Sequence, residues 1–153
     1  MKKLLEQFWT EDKYRRLIHA MGGVIFFGNY GVIIYFFIME APAIWKEGLS
    51  SFFADLLIRL VLGIIFGGIA LLPYYIGSVA SKRLRLSALF FVVCLGVFIL
   101  DVWLRIYVLF FPDSSTASLA LVFSPFSLAV PVALVWGFVS LRRLASNKMS
   151  SSR

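Results

Sequence analysis

Cysteine and histidine are almost missing from this chain: Cys94 and His19 are single occurrences among 153 residues. A lone cysteine excludes an intramolecular disulfide, and so few soft ligands exclude a cysteine- or histidine-based metal site and bis-histidine haem ligation within one chain. Charge is also scarce, at 15% of residues against 61% hydrophobic, with a mean hydropathy of +0.90. No connection between apolar runs is long enough to form a soluble domain. No phosphate-cradling glycine loop, nucleophile elbow or suitably spaced carboxylate pair is present. No catalytic residue, cofactor or metal is therefore expected, and the chain reads as non-enzymatic.

What fills the chain instead is four long apolar runs, about 18–39, 52–79, 86–111 and 119–141. About twenty such residues cross a bilayer as a helix. The expected fold is a single all-α membrane domain, a four-helix transmembrane bundle with short loops. No cleavable signal peptide is expected, because residues 1–17 are polar and charged and no small-residue cleavage site follows the first apolar run. Leu4, Leu5, Phe8 and Trp9 alternate with Lys2, Lys3, Glu6 and Gln7, which suits a short interfacial helix before the first span. Thr10 is the expected N-cap of that span, with Glu11 and Asp12 at its positive end. Residues 40–51, with Pro42, Trp45 and Gly48, read as an outer loop, and 81–85 as a tight basic turn. Pro112 should end the third span, and an oxygen of Asp113, Ser114 or Ser115 should cap the fourth. The serine-rich segment 145–153 reads as a disordered tail.

The net charge of +7 looks like a nucleic-acid signal until the charges are placed. Lys2, Lys3, Lys13, Arg15 and Arg16 precede the first run, Lys82, Arg83 and Arg85 separate the second from the third, and Arg142, Arg143, Lys148 and Arg153 follow the fourth. Twelve of fifteen basic residues thus fall on one side, and only Lys46 on the other. The positive-inside rule then puts both termini in the cytoplasm, and the expected location is a bacterial inner membrane. Expected partners are the lipid bilayer and another membrane protein or a second copy of this chain, not nucleic acid.

The two remaining basic residues stand inside spans, each four residues after an aspartate: Asp55 with Arg59, and Asp101 with Arg105. A charge at the centre of a membrane costs roughly 2.5 to 3.5 kcal/mol on insertion scales, so these groups should pair and face protein. If the outer span ends lie level at Ser51 and Phe111, the helical rise puts Asp55, Arg105, Arg59 and Asp101 at depths of roughly 6, 9, 12 and 15 Å. The signs alternate, which permits pairs within each helix or cross-helix pairs Asp55–Arg105 and Arg59–Asp101, joined in one network. Asp55, Arg59, Gly63 and Gly67 form one row on the second span, and the two glycines let another backbone approach. Asn29 in the first span, with Ser124 and Ser127 around Pro125 in the fourth, can add polar groups in the outer half. Pro73, Pro125 and Pro131 free carbonyls that neighbours must satisfy.

The function expected from this pattern is a non-catalytic accessory or interaction subunit, or a toxin-immunity-type protein. The alternatives are a small transporter or oligomeric channel lined by the Asp/Arg cluster, and a lipid-headgroup-binding enzyme or flippase component.

Overall fold

The computed structural model describes the backbone of residues 12–46, 48–111 and 115–151, with side chains placed outside 112–122 and 147–151. The expected interfacial helix 2–9, the Thr10 cap with Glu11, and the capping role of Asp113, Ser114 or Ser115 lie outside these described residues and side chains. Five helices make up the fold: α1 (Asp12–Lys46), α2 (Leu49–Ala70), α3 (Leu72–Leu84), α4 (Ser87–Phe110) and α5 (Ser115–Ser151). No strand occurs among the described residues. Four segments are long and apolar enough to cross a membrane, α2 and α3 together forming one of them.

Three element boundaries differ from the sequence reading. α1 continues through Pro42 to Lys46 and α2 opens at Leu49, so most of the expected outer loop is helical. Pro42 stands four residues from the helix end, where the hydrogen-bond ladder it interrupts has little left to support. α5 is helical to Ser151, past Ala145 where the irregular tail was expected. No glycine or proline follows Pro131 except Gly137, and the leucines, arginines and alanine of 141–145 favour a helix. The second span, finally, is two helices. Leu71 donates to Gly68 at 3.2 Å, a tightened turn, and Pro73, in the first turn of α3, has no N–H to carry the α-helical ladder across.

Proline thereby splits one membrane-length segment into two pieces with different neighbours. α2 packs chiefly against α1, whereas α3 packs against α5, α4 and α1. The core lies at the α3 level, built from Ile18 and Ile25 of α1, Tyr74 of α3, Phe90 and Val97 of α4, and Val132 of α5. Gly77 is where three helices converge: a Cβ there would run into Cys94 of α4 and come within 3.6 Å of Val132 of α5. Large apolar residues such as Phe27, Phe110, Leu134 and Leu141 cover the outside. An apolar exterior is what a bundle solvated by lipid requires.

At one end, α3 closes with Arg85 in the left-handed region (φ 49°) and a bond from the Leu86 amide back to the Ser81 carbonyl at 3.3 Å. This Schellman closure reverses the chain directly into α4. Arg143 of α5 donates to the otherwise unbonded Leu84 carbonyl at 2.5 Å, and Arg83 lies over the Trp136 ring. Basic residues from two separate stretches of sequence therefore meet at this end.

The convergence at Gly77 sets the helix spacing. Gly77→Ala is expected to lower stability by about 1 to 3 kcal/mol in thermal unfolding of detergent-solubilised protein. Gly23→Ala, where a Cβ meets nothing within 4 Å, is expected to be neutral or stabilising by up to about 1 kcal/mol.

Candidate functional site

Each aspartate–arginine pair closes within its own helix. Arg59 Nε donates to Asp55 Oδ2 at 2.6 Å, and Arg105 Nη2 donates to Asp101 Oδ1 at 3.2 Å. The expected cross-helix pairs do not form, because α2 and α4 do not touch: α1 packs against both and stands between them. The single network envisaged from the alternating signs is two separate clusters.

Levels along α1 show how far apart they are. Arg105 Nη1 donates to Asn29 Oδ1 at 2.6 Å, while Arg59 Nη2 donates to the Glu40 carboxylate and its guanidinium lies over the Phe37 ring. Asn29 and Glu40 are eleven residues apart on one helix, so the clusters are separated by roughly 16 Å along its axis. Arg59 is therefore nearer the far end than Arg105, the reverse of the depth order expected from level span ends.

The span ends are not level. α1 and α4 run parallel at a constant offset, fixed by the Tyr14–Phe91 ring contact at one height and the Asn29–Arg105 bond at another. Phe110, the last residue of α4, lies level with Ile34, and α1 continues twelve residues further, about 18 Å. α5 begins near the same height as α4 ends, since Val132 and Cys94 flank Gly77 together. The α1–α2 hairpin consequently projects beyond both other spans. Gly63 and Gly67 hold it closed: Cβ atoms there would sit 2.9 Å from the rings of Tyr30 and Phe26. The glycine row thus faces α1, with Phe52 packing on Phe37 and Trp45 nearer the tip.

The outer cluster of Glu40, Asp55 and Arg59 rides on this hairpin. It is partly exposed, with the Arg59 side chain 23% and that of Asp55 32% accessible. Around it Ile38, Met39, Leu49, Phe53 and Leu57 are all more than half exposed. Two carboxylates against one guanidinium leave the cluster with one excess negative charge.

The inner cluster is different in kind. The Asp101 and Arg105 side chains are 2% and 7% accessible, and Asn29 is buried beside them. Tyr74 of α3, two residues past the helix break, turns its buried hydroxyl toward the Asp101 carboxylate without reaching hydrogen-bond geometry. Three buried polar atoms meet no partner among the described residues: Asn29 Nδ2, Arg105 Nε and the Tyr74 hydroxyl. The ion pair cancels the charge, and the open valences are mostly donors, so the cluster can receive a neutral hydrogen-bond acceptor. The fourth span contributes less than expected. Ser124 is buried, but Ser127 is exposed and bonds its own helix at the Phe123 carbonyl, 3.3 Å away.

Sequence reasoning missed Glu40 and Tyr74. Glu40 was read as part of a loop; its signal was an acidic residue ending the first apolar run, with an arginine inside the next run. Tyr74 follows Pro73, and an aromatic with a polar tip at a helix break faces whatever the break exposes. His19, the one histidine, pairs its Nε2 with Ser78 Oγ at 2.9 Å. No group of three or more metal-ligating side chains occurs among the described residues. Comparison with family models, curated proteins and solved structures returns no match.

The two clusters should respond very differently to loss of a carboxylate. Asp101→Ala strands the buried Arg105 and is expected to cost about 3 to 5 kcal/mol. Asp55→Ala is expected to cost no more than about 1 kcal/mol, since its partner is partly exposed and keeps Glu40. Denaturant titration of both variants in the same detergent measures the contrast. Reversing the inner pair, Asp101→Arg with Arg105→Asp, should recover part of the loss, whereas exchanging Arg59 with Asp101 should recover none.

Proposed function

We propose that this chain is a non-catalytic polytopic protein of a bacterial inner membrane, with both termini in the cytoplasm, acting as an accessory or interaction subunit toward another membrane protein. The observation that carries this reading is the α1–α2 hairpin, which stands about 18 Å beyond the outer ends of α4 and α5. If those two helices define the membrane thickness, the exposed Ile38, Met39, Leu49 and Phe53 lie beyond the acyl chains. Apolar residues in that position gain by burial against protein, at roughly 25 cal/mol per Å² removed from water. The Glu40–Arg59–Asp55 cluster at the base of the hairpin adds an oriented, net negative group that would set the register of a partner. The gathering of basic residues at the opposite end supports the cytoplasmic placement of the termini. A toxin-immunity role and an assembly role are both forms of this one activity, recognition within and just outside the membrane.

Photo-crosslinking tests the reading. A benzophenone amino acid at Phe53 or Met39, activated in intact cells, is expected to trap one dominant membrane-protein partner, while the same probe at Leu134 yields diffuse lipid or no adducts. Equal labelling at hairpin and span positions would overturn the assignment. Loss of the adduct on Arg59→Ala would tie recognition to the ionic cluster.

The second reading, a small transporter or oligomeric channel, is favoured by one specific feature. A broken helix beside a buried polar centre with unfilled valences is how many transporters build their substrate sites. It predicts ion conductance or solute flux in bilayers of purified protein that changes in Asn29→Ala. Silent bilayers across several lipids and voltages count against it.

A further inference from the structure

A third polar site lies at the opposite end of the bundle from the hairpin. There a cavity of about 330 Å³ is lined by Asp12 and Arg15 of α1, Ser81 and Lys82 of α3, Arg85 of the closing turn and Ser87 of α4. Three cations face one carboxylate, and that carboxylate is already engaged: Asp12 Oδ1 sits 3.1 Å from Arg15 Nη2. Lys82 and Arg85 make no ion pair among the described residues. The cavity therefore carries an uncompensated charge of about +2, placed at a chain reversal rather than spread over an open face.

Two further features point the same way. Ser87 is 94% buried, lines the cavity, and its hydroxyl has no hydrogen-bond partner among the described residues. The hydroxyl itself keeps some accessible surface, and it opens onto the cavity as a free donor. Ser87 also opens α4, a 24-residue helix whose N-cap residue, Leu86, supplies no side-chain hydrogen bond. The first amide bonded within this helix is that of Phe90, which donates to the Leu86 carbonyl. The amides of residues 87, 88 and 89 thus open toward the turn, with the positive end of the helix dipole behind them. Free amides, hydroxyls and guanidinium groups around one pocket form the donor set that binds a tetrahedral oxyanion.

We infer that this pocket binds a phosphate group, with Lys82 and Arg85 supplying charge, Ser87 and the α4 amides supplying directed donors, and Arg15 held at the rim by Asp12. The volume leaves room for the phosphate and part of the group esterified to it. Ser81 contributes the wall and not a donor, because its hydroxyl is spent on the Ser78 carbonyl at 2.8 Å. Two sources carry such a phosphate, a soluble ester and a lipid headgroup entering from the adjacent leaflet. The chemistry of recognition is shared, and the inference does not depend on the accessory role assigned to the hairpin.

Full-length protein in phosphatidylcholine nanodiscs allows both sources to be tried. In one arm inorganic phosphate and glycerol 3-phosphate are titrated by calorimetry. In the other, nanodiscs containing phosphatidic acid are examined by native mass spectrometry for retained lipid. Saturable binding in either arm is expected, and which arm shows it identifies the source. Lys82→Gln combined with Arg85→Gln should weaken that binding about tenfold or more, and Ser87→Ala roughly two- to tenfold. Arg16→Gln combined with Arg142→Gln removes the same charge from the same end but touches no lining residue, and should leave affinity unchanged. Binding in neither arm overturns the assignment. So does an equal loss in the two double variants, which would mean diffuse attraction to a basic surface.

Discussion

Burying a guanidinium in an apolar bundle is the constraint around which this structure is arranged. Arg105 is nearly inaccessible, so its charge must be met inside the protein, and it is met by Asp101 one turn away and Asn29 on the neighbouring helix. The intrahelical pair removes the net charge without help from another span. The bond to Asn29 then links α4 to α1 at one particular height. Because that link is polar and directional in surroundings that offer few alternatives, sliding α1 along α4 would break it and strand the amide and guanidinium together. The parallel register of these two helices follows, and with it the unequal lengths by which the spans emerge at the far end.

Proline governs the other half of the architecture. With Pro73 unable to donate, the second span gives up one continuous helix and becomes two segments with separate neighbours. α3 can then fill the centre of the bundle, where Gly77 lets α4 and α5 come close, while α2 leans on α1 through Gly63 and Gly67. One end is a packed bundle closed by a basic turn. The other is a hairpin with a partly exposed ionic cluster and an apolar skin. A binding role at each end fits this polarity: protein recognition where apolar surface is in excess, anion recognition where positive charge and free amides are in excess.

Much of this was legible in the chain itself. The four spans follow from hydrophobic length alone, because a run of about twenty apolar residues has few other stable homes. That Asp55 can reach Arg59, and Asp101 can reach Arg105, follows from a four-residue spacing that brings side chains onto one helical face, although the spacing left cross-helix pairs equally open. The glycine row of the second span announced a close approach. Illegible were the partners. Whether Arg59 meets Asp101 or Glu40 depends on which helices are neighbours and at what height, and alternating signs on two spans are compatible with several answers. The helical continuation through Pro42 was hidden for a related reason: proline's penalty depends on how much ladder lies beyond it.

The number of apolar runs, the segregation of basic residues and the four-residue spacing that permits local ion pairs are properties of short stretches, governed by hydrophobic free energy and helical geometry, and so the sequence by itself determined them. Helix adjacency, the roughly 16 Å between the two ionic clusters, the projecting hairpin and the meeting of Arg15, Lys82, Arg85 and Ser87 in one pocket were decided only by tertiary structure. Each requires residues from distant parts of the chain to reach a common level. That level is set by packing at Gly77 and by the Asn29–Arg105 bond, contacts between segments whose separation in sequence carries no information about their separation in space.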